Sequence, residues 1–299
     1  MTAVTCAVPT CPATLKVERR PDFPMPAGAC DSHVQIVGPH ERYLMVATRN
    51  YTPPPATEAD CLAMHDALGI ERGVVVQISV YGTDNRCMLA SLRAHPERLR
   101  GIAVVAQDIS DRELESLARD GVRGVRVNTQ LGGEISMDAL ERLAVRIAPL
   151  GWHIEVLLDV RALAVIGPRF ARLPVEVVVE HMGWAYTPAG PQEPGFQTLL
   201  ALMRDGRAWT KLSGPYLFSA EGAPYRDVRP FAHALLDAAP DRCLWGTDWP
   251  HVSVSGPMIH TEDMLAILPD WAGDAALRDQ VLVHNPARLY GFPPVARAE

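Results

Sequence analysis

The feature of this chain best suited to chemistry is an aspartate, Asp248, at the end of an apolar run. The segment 242–251 reads RCLWGTDWPH, so the apolar residues stop at Gly-Thr-Asp and a Trp-Pro pair follows. This pattern is typical of a strand that delivers a carboxylate to its C-terminal end, where barrel enzymes hold their catalytic residues. An aspartate that opens a turn or caps a helix gives the same local pattern. The segment alone leaves both interpretations open.

Polar side chains also stand at the ends of other apolar runs. They are Asp31, His33 and Gln35 in the first run, then Asn128, Glu180, His181 and Ser213 in later ones. Alternation along a strand places Asp31, His33 and Gln35 on one face, and a polar set that faces into a barrel is costly unless it has a use. We therefore expect histidines and a carboxylate to meet at one mouth. For each residue singly, a hydrogen-bonded rim position without function remains the alternative.

The elements that must position these residues alternate in type along the chain after Pro26. We predict eight strands: Ala29–Ile36, Arg72–Ser79, Gly101–Gln107, Val122–Asn128, Trp152–Leu158, Val175–His181, Ala208–Ser213 and Arg242–Asp248. Apolar residues recur at helical spacing between them, in Thr57–Leu68, Asn85–Ala94, Asp111–Asp120, Met137–Leu150, Gly195–Arg204, Asp227–Ala238 and Thr261–Ile267, and more weakly in Val160–Gly167. A further helix is expected at Ala276–Tyr290.

This order predicts a single (β/α)8 TIM barrel of the α/β class. Strands such as Gly73–Gln77 are apolar on both faces, as a parallel sheet covered by helices requires. We place the barrel at residues 28–299. Residues 1–27 are rich in Pro, Ala and Thr without a sustained period, and we expect an extended N-terminal arm there.

Composition excludes several classes of protein. The chain has 299 residues, 48% of them apolar and 21% charged, and a net charge of −7, so no basic face for nucleic acid is expected. We expect neither a secretory signal nor a membrane-spanning stretch, and no phosphate-binding Gly-rich motif follows the first strand. The six cysteines are dispersed, which favours reduced thiols and a cytoplasmic location. A small-molecule substrate is the expected partner, and a homo-oligomer stays open.

A longer set of motifs resembles a known enzyme family. The motifs are Gly28–Pro39 (GACDSHVQIVGP), Gln77–Asn85 (QISVYGTDN), Gly124–Asn128 (GVRVN), Glu180–Gly183 (EHMG), Trp245–His251 (WGTDWPH) and Asn285–Tyr290 (NPARLY). In this order, from about residue 26 to 292, they resemble the amidohydrolase superfamily of the amidohydrolase-2 type. Within it they are most similar to the branch of 2-pyrone-4,6-dicarboxylate lactonases and sugar-acid lactonases.

The resemblance implies a hydrolase that opens a small carboxylated lactone with water, in aromatic or sugar-acid catabolism. By position, Asp248 would be the general base, and His33 and His181 would polarise the carbonyl and stabilise the oxyanion without a required metal. Relatives on this barrel also work as lactone isomerases or nonoxidative decarboxylases, with much the same residues. A catalytically inactive barrel that only binds a ligand is the third hypothesis.

Two departures from the family pattern bear on cofactor and substrate. The branch commonly has His-x-His on the first strand, whereas Gln35 stands at the second position here. An amide can donate to an oxyanion but is a poor metal ligand, which favours a metal-free site. A divalent metal such as zinc, held by His33, His181 and Asp248, is the alternative.

The expected substrate pocket is less cationic than in the dicarboxylate lactonases. The arginines that this branch carries after strands four and seven are absent, at Thr129–Gly133 and at Ser213–Phe218, and Arg126 alone remains to pair a carboxylate. We therefore expect a smaller or less charged lactone, of the muconolactone, pyrone or sugar-acid type. Further residues expected to bind or orient it are Gln35, Tyr51, Ser79, Tyr81, Asn128 and Tyr216.

The remaining histidines are expected to have other roles. We assign His40, His65, His95, His233 and His260 to the solvated surface, because they fall in helices or loops. His153, at the start of the fifth strand, lies at the end remote from the mouth and is expected to be structural. Whether His251 reaches the mouth stays open.

Overall fold

The computed structural model describes residues 8–128, 136–185, 187–252, 254 and 256–294. Eight parallel strands pair in chain order to form one sheet. They are β1 Cys30–Val34, β2 Arg72–Val76, β3 Leu99–Ala103, β4 Val122–Asn128, β5 His153–Leu157, β6 Val177–Val179, β7 Ala208–Leu212 and β8 Cys243–Trp245. The amide of Gln35 donates to the Trp249 carbonyl at 2.8 Å, and this contact joins the end of β8 to β1. The result is the predicted TIM barrel.

Helices follow the strands and cover the outside of the barrel. Those among the described residues are α1 Glu58–Leu68, α2 Arg86–Ala94, α3 Asp111–Arg119, α4 Met137–Ile147, α5 Leu163–Phe170, α6 Pro194–Arg204, α7 Arg229–Ala238, α8 Thr261–Ala266, α9 Leu268–Trp271, α10 Ala275–Asp279 and α11 Asn285–Tyr290. Capping residues set both ends of α1. Thr57 and Asp60 form a capping box at the start of α1, and Gly69 ends that helix with a positive φ of 76°.

Seven of the eight strands end earlier than predicted, whereas β4 ends at Asn128 as predicted. The sixth strand, predicted as Val175–His181, ends at Val179 because a 3₁₀ turn at Glu180–Gly183 takes over, with φ of 50° at His181. The eighth, predicted to reach Asp248, ends at Trp245. Gln35, Glu180, His181, Ser213 and Asp248 therefore lie just beyond the strands. Asp31 and His33 lie within β1, and Asn128 is the last residue of β4.

Two other expectations need correction. The predicted helix Ala276–Tyr290 is divided into α10, a π-helical turn at Gln280–His284 and α11, because Pro286 lacks the amide that a continuous α-helix would need. His65 is fully buried rather than solvated, with Nε2 3.3 Å from Oδ2 of Asp31. α1 packs this histidine against β1, and the buried carboxylate supplies a polar partner.

The described part of the N-terminal segment, residues 8–27, runs across the mouth side of the barrel without a helix. The Cys11 amide donates to the Thr52 carbonyl at 2.9 Å and the Thr52 amide donates to the Pro9 carbonyl at 2.8 Å. The Cys11 thiol donates to the Val252 carbonyl at 3.0 Å. The segment therefore links the loop after β1 to the loop after β8. The limits of the arm and barrel at residues 27 and 28 stay a prediction.

Candidate active site

A carboxylate and two imidazoles meet at the C-terminal end of the barrel. Oδ1 of Asp248 lies 3.4 Å from Nε2 of His33 and 3.8 Å from Nε2 of His181, and the two imidazole centroids are 4.6 Å apart. His33 is fully buried, whereas the side chain of Asp248 is 11% exposed. The three residues that we expected to be catalytic thus form one cluster, although they come from three distant parts of the chain.

Backbone geometry explains how strands one, six, seven and eight approach so closely. Asp248 has a φ of 62°, a left-handed conformation that Asp and Asn adopt more readily than other side chains. A side chain at Gly246 would meet the backbone nitrogen of His33 at 2.9 Å. One at Gly214 would meet Nδ1 of His181 at 2.9 Å. Because Gly246 has no side chain, His33 on β1 can approach the end of β8. Because Gly214 has none, the imidazole of His181 can approach the turn after β7.

The second oxygen of the aspartate is held by a tyrosine. The Tyr216 hydroxyl donates to Oδ2 of Asp248 at 2.6 Å, and the imidazole of His251 packs edge-on against the Tyr216 ring at 5.6 Å between centroids. Nε2 of His251 lies 3.0 Å from Oγ1 of Thr261, and burial lowers the pKa of His251 to about 3, so this imidazole is neutral. His251 therefore reaches the mouth, where it supports Tyr216.

Burial and neighbouring groups shift the pKa values of Asp248 and His33. Burial raises the pKa of Asp248 above its ordinary value, with His181 and the Tyr216 hydrogen bond acting in the opposite direction. The pKa of His33 is lowered well below its ordinary value, first by burial and then by electrostatic interactions with Lys211, His181 and Arg126. The site therefore combines a carboxylate of increased proton affinity with a neutral imidazole, which suits proton transfer near neutral pH.

Arg126 is paired inside the protein. Nε of Arg126 donates to Oε1 of Glu180 at 2.9 Å and Nη2 donates to Oε2 at 2.7 Å, while Nη1 donates to the Gln77 carbonyl at 3.2 Å. Both ionic side chains are buried. The edge of the guanidinium that could grip a substrate carboxylate in the bidentate manner is thus already occupied.

The other predicted binding residues lie in different settings. The Tyr51 and Ser79 hydroxyls share a 2.8 Å hydrogen bond, and burial raises the pKa of Tyr51 to about 12. The Tyr81 hydroxyl accepts from the Gly38 amide at 3.1 Å, away from these groups in the loop after β1. Gln35 is buried two residues after His33, and its backbone amide donates the hydrogen bond that closes the barrel. The segment Thr129–Gly133 lies outside the described residues.

A cavity of about 520 Å³ opens near the cluster, between the loops after β1, β2 and β3 and the C-terminal end of β4. Ser79, Arg126 and Asn128 line one part of it, and Val80, Val104 and Leu143 are among the apolar residues that line the rest. It is connected to the cluster through Arg126 and Glu180, because Oε2 of Glu180 lies 4.0 Å from Nε2 of His181. The cavity has room for part of a small organic molecule.

Beneath the cluster, buried groups that we did not predict as site residues form a network. Nζ of Lys211 lies 2.6 Å from Oε2 of Glu155 and 3.2 Å from Nδ1 of His33. The Tyr290 hydroxyl donates to Oε1 of Glu155 at 2.9 Å. A lysine within the apolar run of β7 is the signal that could have indicated an internal role, because such a side chain is rarely buried without a partner. Oγ of Ser213 lies 2.9 Å from Nδ1 of His181 and was likewise not predicted as a site residue.

Three clustered groups could in principle hold a metal ion. Ligand atoms of His33, Glu180 and His181 lie within 4.8 Å of one another. This set contains Glu180 where we had considered Asp248 as the third ligand.

The amidohydrolase family profile matches residues 30–292, nearly the whole barrel. The chain belongs to the amidohydrolase family. This membership confirms the resemblance inferred from the motifs, and it makes the protein an enzyme. Membership fits the observed mouth, where a rim aspartate and two histidines meet on a (β/α)8 barrel.

This amidohydrolase is similar over most of its length to enzymes that act on lactones. It is 39% identical to a 2-pyrone-4,6-dicarboxylate hydrolase of Comamonas testosteroni, over 91% of this chain and 92% of the relative. It is 38% identical to a 4-sulfomuconolactone hydrolase of Rhizobium radiobacter, over 90% and 92%. A D-galactarolactone isomerase of Agrobacterium fabrum is 28% identical over 92% and 95%.

Solved structures agree with the barrel. An apo crystal structure from Agrobacterium tumefaciens matches with a TM-score of 0.84 at 26% identity, over 93% of this chain and 99% of that one. A probable 2-pyrone-4,6-dicarboxylic acid hydrolase from Acinetobacter baumannii, with citric acid bound, matches with a TM-score of 0.78 at 26% identity, over 89% and 100%.

Proposed function

We propose that this amidohydrolase opens the ring of a small lactone with water. The observation that carries the proposal is that the two carboxylate oxygens of Asp248 have different contacts. Tyr216 donates a hydrogen bond to Oδ2, and Oδ1 faces His33 and His181. A water or a carbonyl oxygen placed at this mouth would therefore contact one carboxylate oxygen and two imidazoles. Lactone hydrolases at 39% and 38% identity support the same chemistry.

The residues divide the reaction into two proton transfers. Asp248 accepts a proton from water as the oxygen attacks the lactone carbonyl, and the carbonyl oxygen becomes an oxyanion beside His33 and His181. When the ring C–O bond breaks, the proton on Asp248 passes to the departing alkoxide, which gives a hydroxy acid. A raised pKa at Asp248 suits both steps, because the same group must accept a proton and then release it.

We propose that this chemistry needs no metal, because the donor set does not fit one. Glu180 already accepts two hydrogen bonds from Arg126. A metal-binding histidine usually donates its other ring N–H to a carboxylate or a carbonyl, but Nδ1 of His33 faces the Lys211 ammonium instead. Asp248 remains as a possible ligand beside His33 and His181, but the same Nδ1–ammonium contact argues against a set that contains His33.

The pocket favours a substrate with few anionic groups. Arg126 is neutralised by Glu180, so little of its charge is available to a second carboxylate. The lining of the adjoining cavity combines valine and leucine side chains, which suit a hydrocarbon portion, with polar groups that include Arg49. We infer a lactone with one anionic group, of the muconolactone, pyrone or sugar-acid type, with Tyr51, Ser79, Asn128 and the remaining N–H groups of Arg126 orienting it.

A lactone isomerase is the second candidate, favoured by the similarity to the D-galactarolactone isomerase. Migration of an acyl group uses the same base and oxyanion donors but must exclude water.

A cytoplasmic location and a homo-oligomer remain predictions. No helix among the described residues is long and apolar enough to span a bilayer.

Incubation of the enzyme with a panel of lactones in ¹⁸O-labelled water distinguishes these reactions. Hydrolysis gives a ring-opened acid with one labelled oxygen, detected by NMR and mass spectrometry. A rearranged lactone without label would replace hydrolysis by isomerisation, and release of carbon dioxide would indicate a decarboxylase. If no lactone in the panel reacts, the proposal fails.

A further inference from the structure

A buried lysine contacts the catalytic cluster from inside the barrel. Lys211 on β7 is fully buried, with Nζ 2.6 Å from Oε2 of Glu155 on β5 and 3.2 Å from Nδ1 of His33. Glu155 is itself buried and also accepts a hydrogen bond from Tyr290. The three strands β1, β5 and β7 are therefore joined beneath the site by one polar network.

The protonation of this network follows from its partners. Burial opposes ionisation of Glu155, but Lys211 and His153 together outweigh it and hold the pKa of that carboxyl below its ordinary value. Glu155 is therefore a carboxylate, and Nζ of Lys211 donates to it at 2.6 Å in a buried ion pair. An ammonium has three donors and no acceptor, so the nitrogen of His33 that faces it must carry a lone pair.

The consequence lies at the opposite nitrogen of the ring. A neutral imidazole with its lone pair on Nδ1 carries its proton on Nε2. Nε2 of His33 is buried, has no hydrogen-bond partner among the described residues, and faces Oδ1 of Asp248 at 3.4 Å. An unpaired buried donor is costly, and here it points to the place where the reacting oxygen would lie.

We propose that Lys211 is a positioning residue that fixes His33 as the Nε2–H tautomer. In that form His33 donates a hydrogen bond to the oxyanion, and Nε2 has no lone pair with which to bind a metal ion. The oxyanion part rests on the proposed lactone hydrolysis. The tautomer part does not, because it follows from contacts within the protein. If Lys211 paired only with Glu155 and did not donate to Nδ1 of His33, the imidazole could take either tautomer.

The test reads the tautomer directly, by long-range ¹H–¹⁵N NMR of the substrate-free protein labelled at histidine nitrogens. The His33 signals are identified by their loss in His33→Gln. In the wild-type protein, we expect the proton of His33 on Nε2 and the lone pair on Nδ1. A wild-type protein with the proton on Nδ1 would overturn the proposal, whatever its activity towards lactones.

Two variants separate positioning from stability. Lys211→Met combined with Glu155→Gln removes the donor without leaving a lone buried carboxylate, and we expect it to lose the tautomer preference. The kcat of an active lactonase should fall about 10²-fold with little change in KM, the usual scale for one oxyanion donor. Tyr290→Phe perturbs the same network without contacting His33, and it should reduce stability but keep the tautomer and kcat.

The outcomes are distinct. A double variant that folds, as judged by circular dichroism, and keeps the Nε2–H tautomer would show that Lys211 does not position His33. An equal loss of kcat in Tyr290→Phe and in the double variant would assign the network a purely structural role. If no lactone is hydrolysed, the proposed function fails but the NMR result still decides the role of Lys211.

Discussion

The Tyr216 hydroxyl donates a 2.6 Å hydrogen bond to Oδ2 of Asp248, so the two oxygens of this carboxylate have different surroundings. Oδ1 faces the two histidines, whereas Oδ2 is tied to the loop after β7. The hydrogen bond fixes the orientation of the carboxylate about its side-chain torsion. The oxygen directed at the substrate is therefore defined before substrate binds, which is the preorganisation expected of a general base.

Asp248→Asn should abolish most of the lactonase activity. The amide is nearly the same size and adopts the required positive φ, so the fold should persist while the base is lost. We expect kcat/KM to fall by about 10²-fold or more. Asp241→Asn, an exposed change near the N-terminal end of β8, is the matched control and should be nearly as active as the wild-type enzyme. Similar kinetics for both variants would exclude Asp248 as the base.

Tyr216→Phe should shift the pH dependence of activity. The Tyr216 hydrogen bond stabilises the carboxylate and lowers the pKa of Asp248, so its loss should raise a pKa that burial already places above the ordinary value of an aspartate. Because the base must be ionised, the acid limb of the kcat/KM profile should move to higher pH. Tyr43→Phe changes a tyrosine outside the cluster and serves as the control. An acid limb that is unchanged or shifted to lower pH would contradict the role of Tyr216.

The buried pair Arg126–Glu180 should contribute strongly to stability. Arg126→Met leaves Glu180 as an unpaired buried carboxylate, which costs about 3–5 kcal/mol in the free energy of unfolding. Arg126→Met combined with Glu180→Leu should recover much of this loss. The exposed pair Arg93–Asp120 is the comparison, where Arg93→Met should cost about 1 kcal/mol or less. Urea unfolding measures all three variants, and equal losses at the buried and exposed pairs would refute the prediction.

Removal of divalent metal should leave the activity unchanged. The reason is the donor set: Arg126 occupies Glu180, and Nδ1 of His33 faces an ammonium. Chelation followed by elemental analysis and a lactonase assay tests this directly. Stoichiometric zinc or manganese that is removed together with the activity, and restores it when added back, would replace the metal-free mechanism.

The sequence by itself determined the architecture and the central cluster. Alternating β-branched and amphipathic segments predicted eight βα units. This was possible because the spacing of apolar residues within a short segment distinguishes a strand from a helix. In such a barrel the C-terminal ends of strands share one mouth. Asp248, His33 and His181 could therefore be grouped without knowledge of their distances. Strand ends were overestimated, because the turns beyond them continue an apolar or polar pattern without continuing the strand.

Only the tertiary structure decided which partner each polar group has. Arg126 appeared free to bind a substrate carboxylate, but the fold brings Glu180 within 2.7 Å of it. His65 appeared exposed, but α1 directs it at Asp31. Lys211 and Glu155 are separated by 56 positions, and nothing in their local sequence pairs them. Such partners depend on distances across the barrel interior, which a periodic pattern does not encode. The sequence thus determined where chemistry can occur, and the packing of the barrel decided which groups remain available for it.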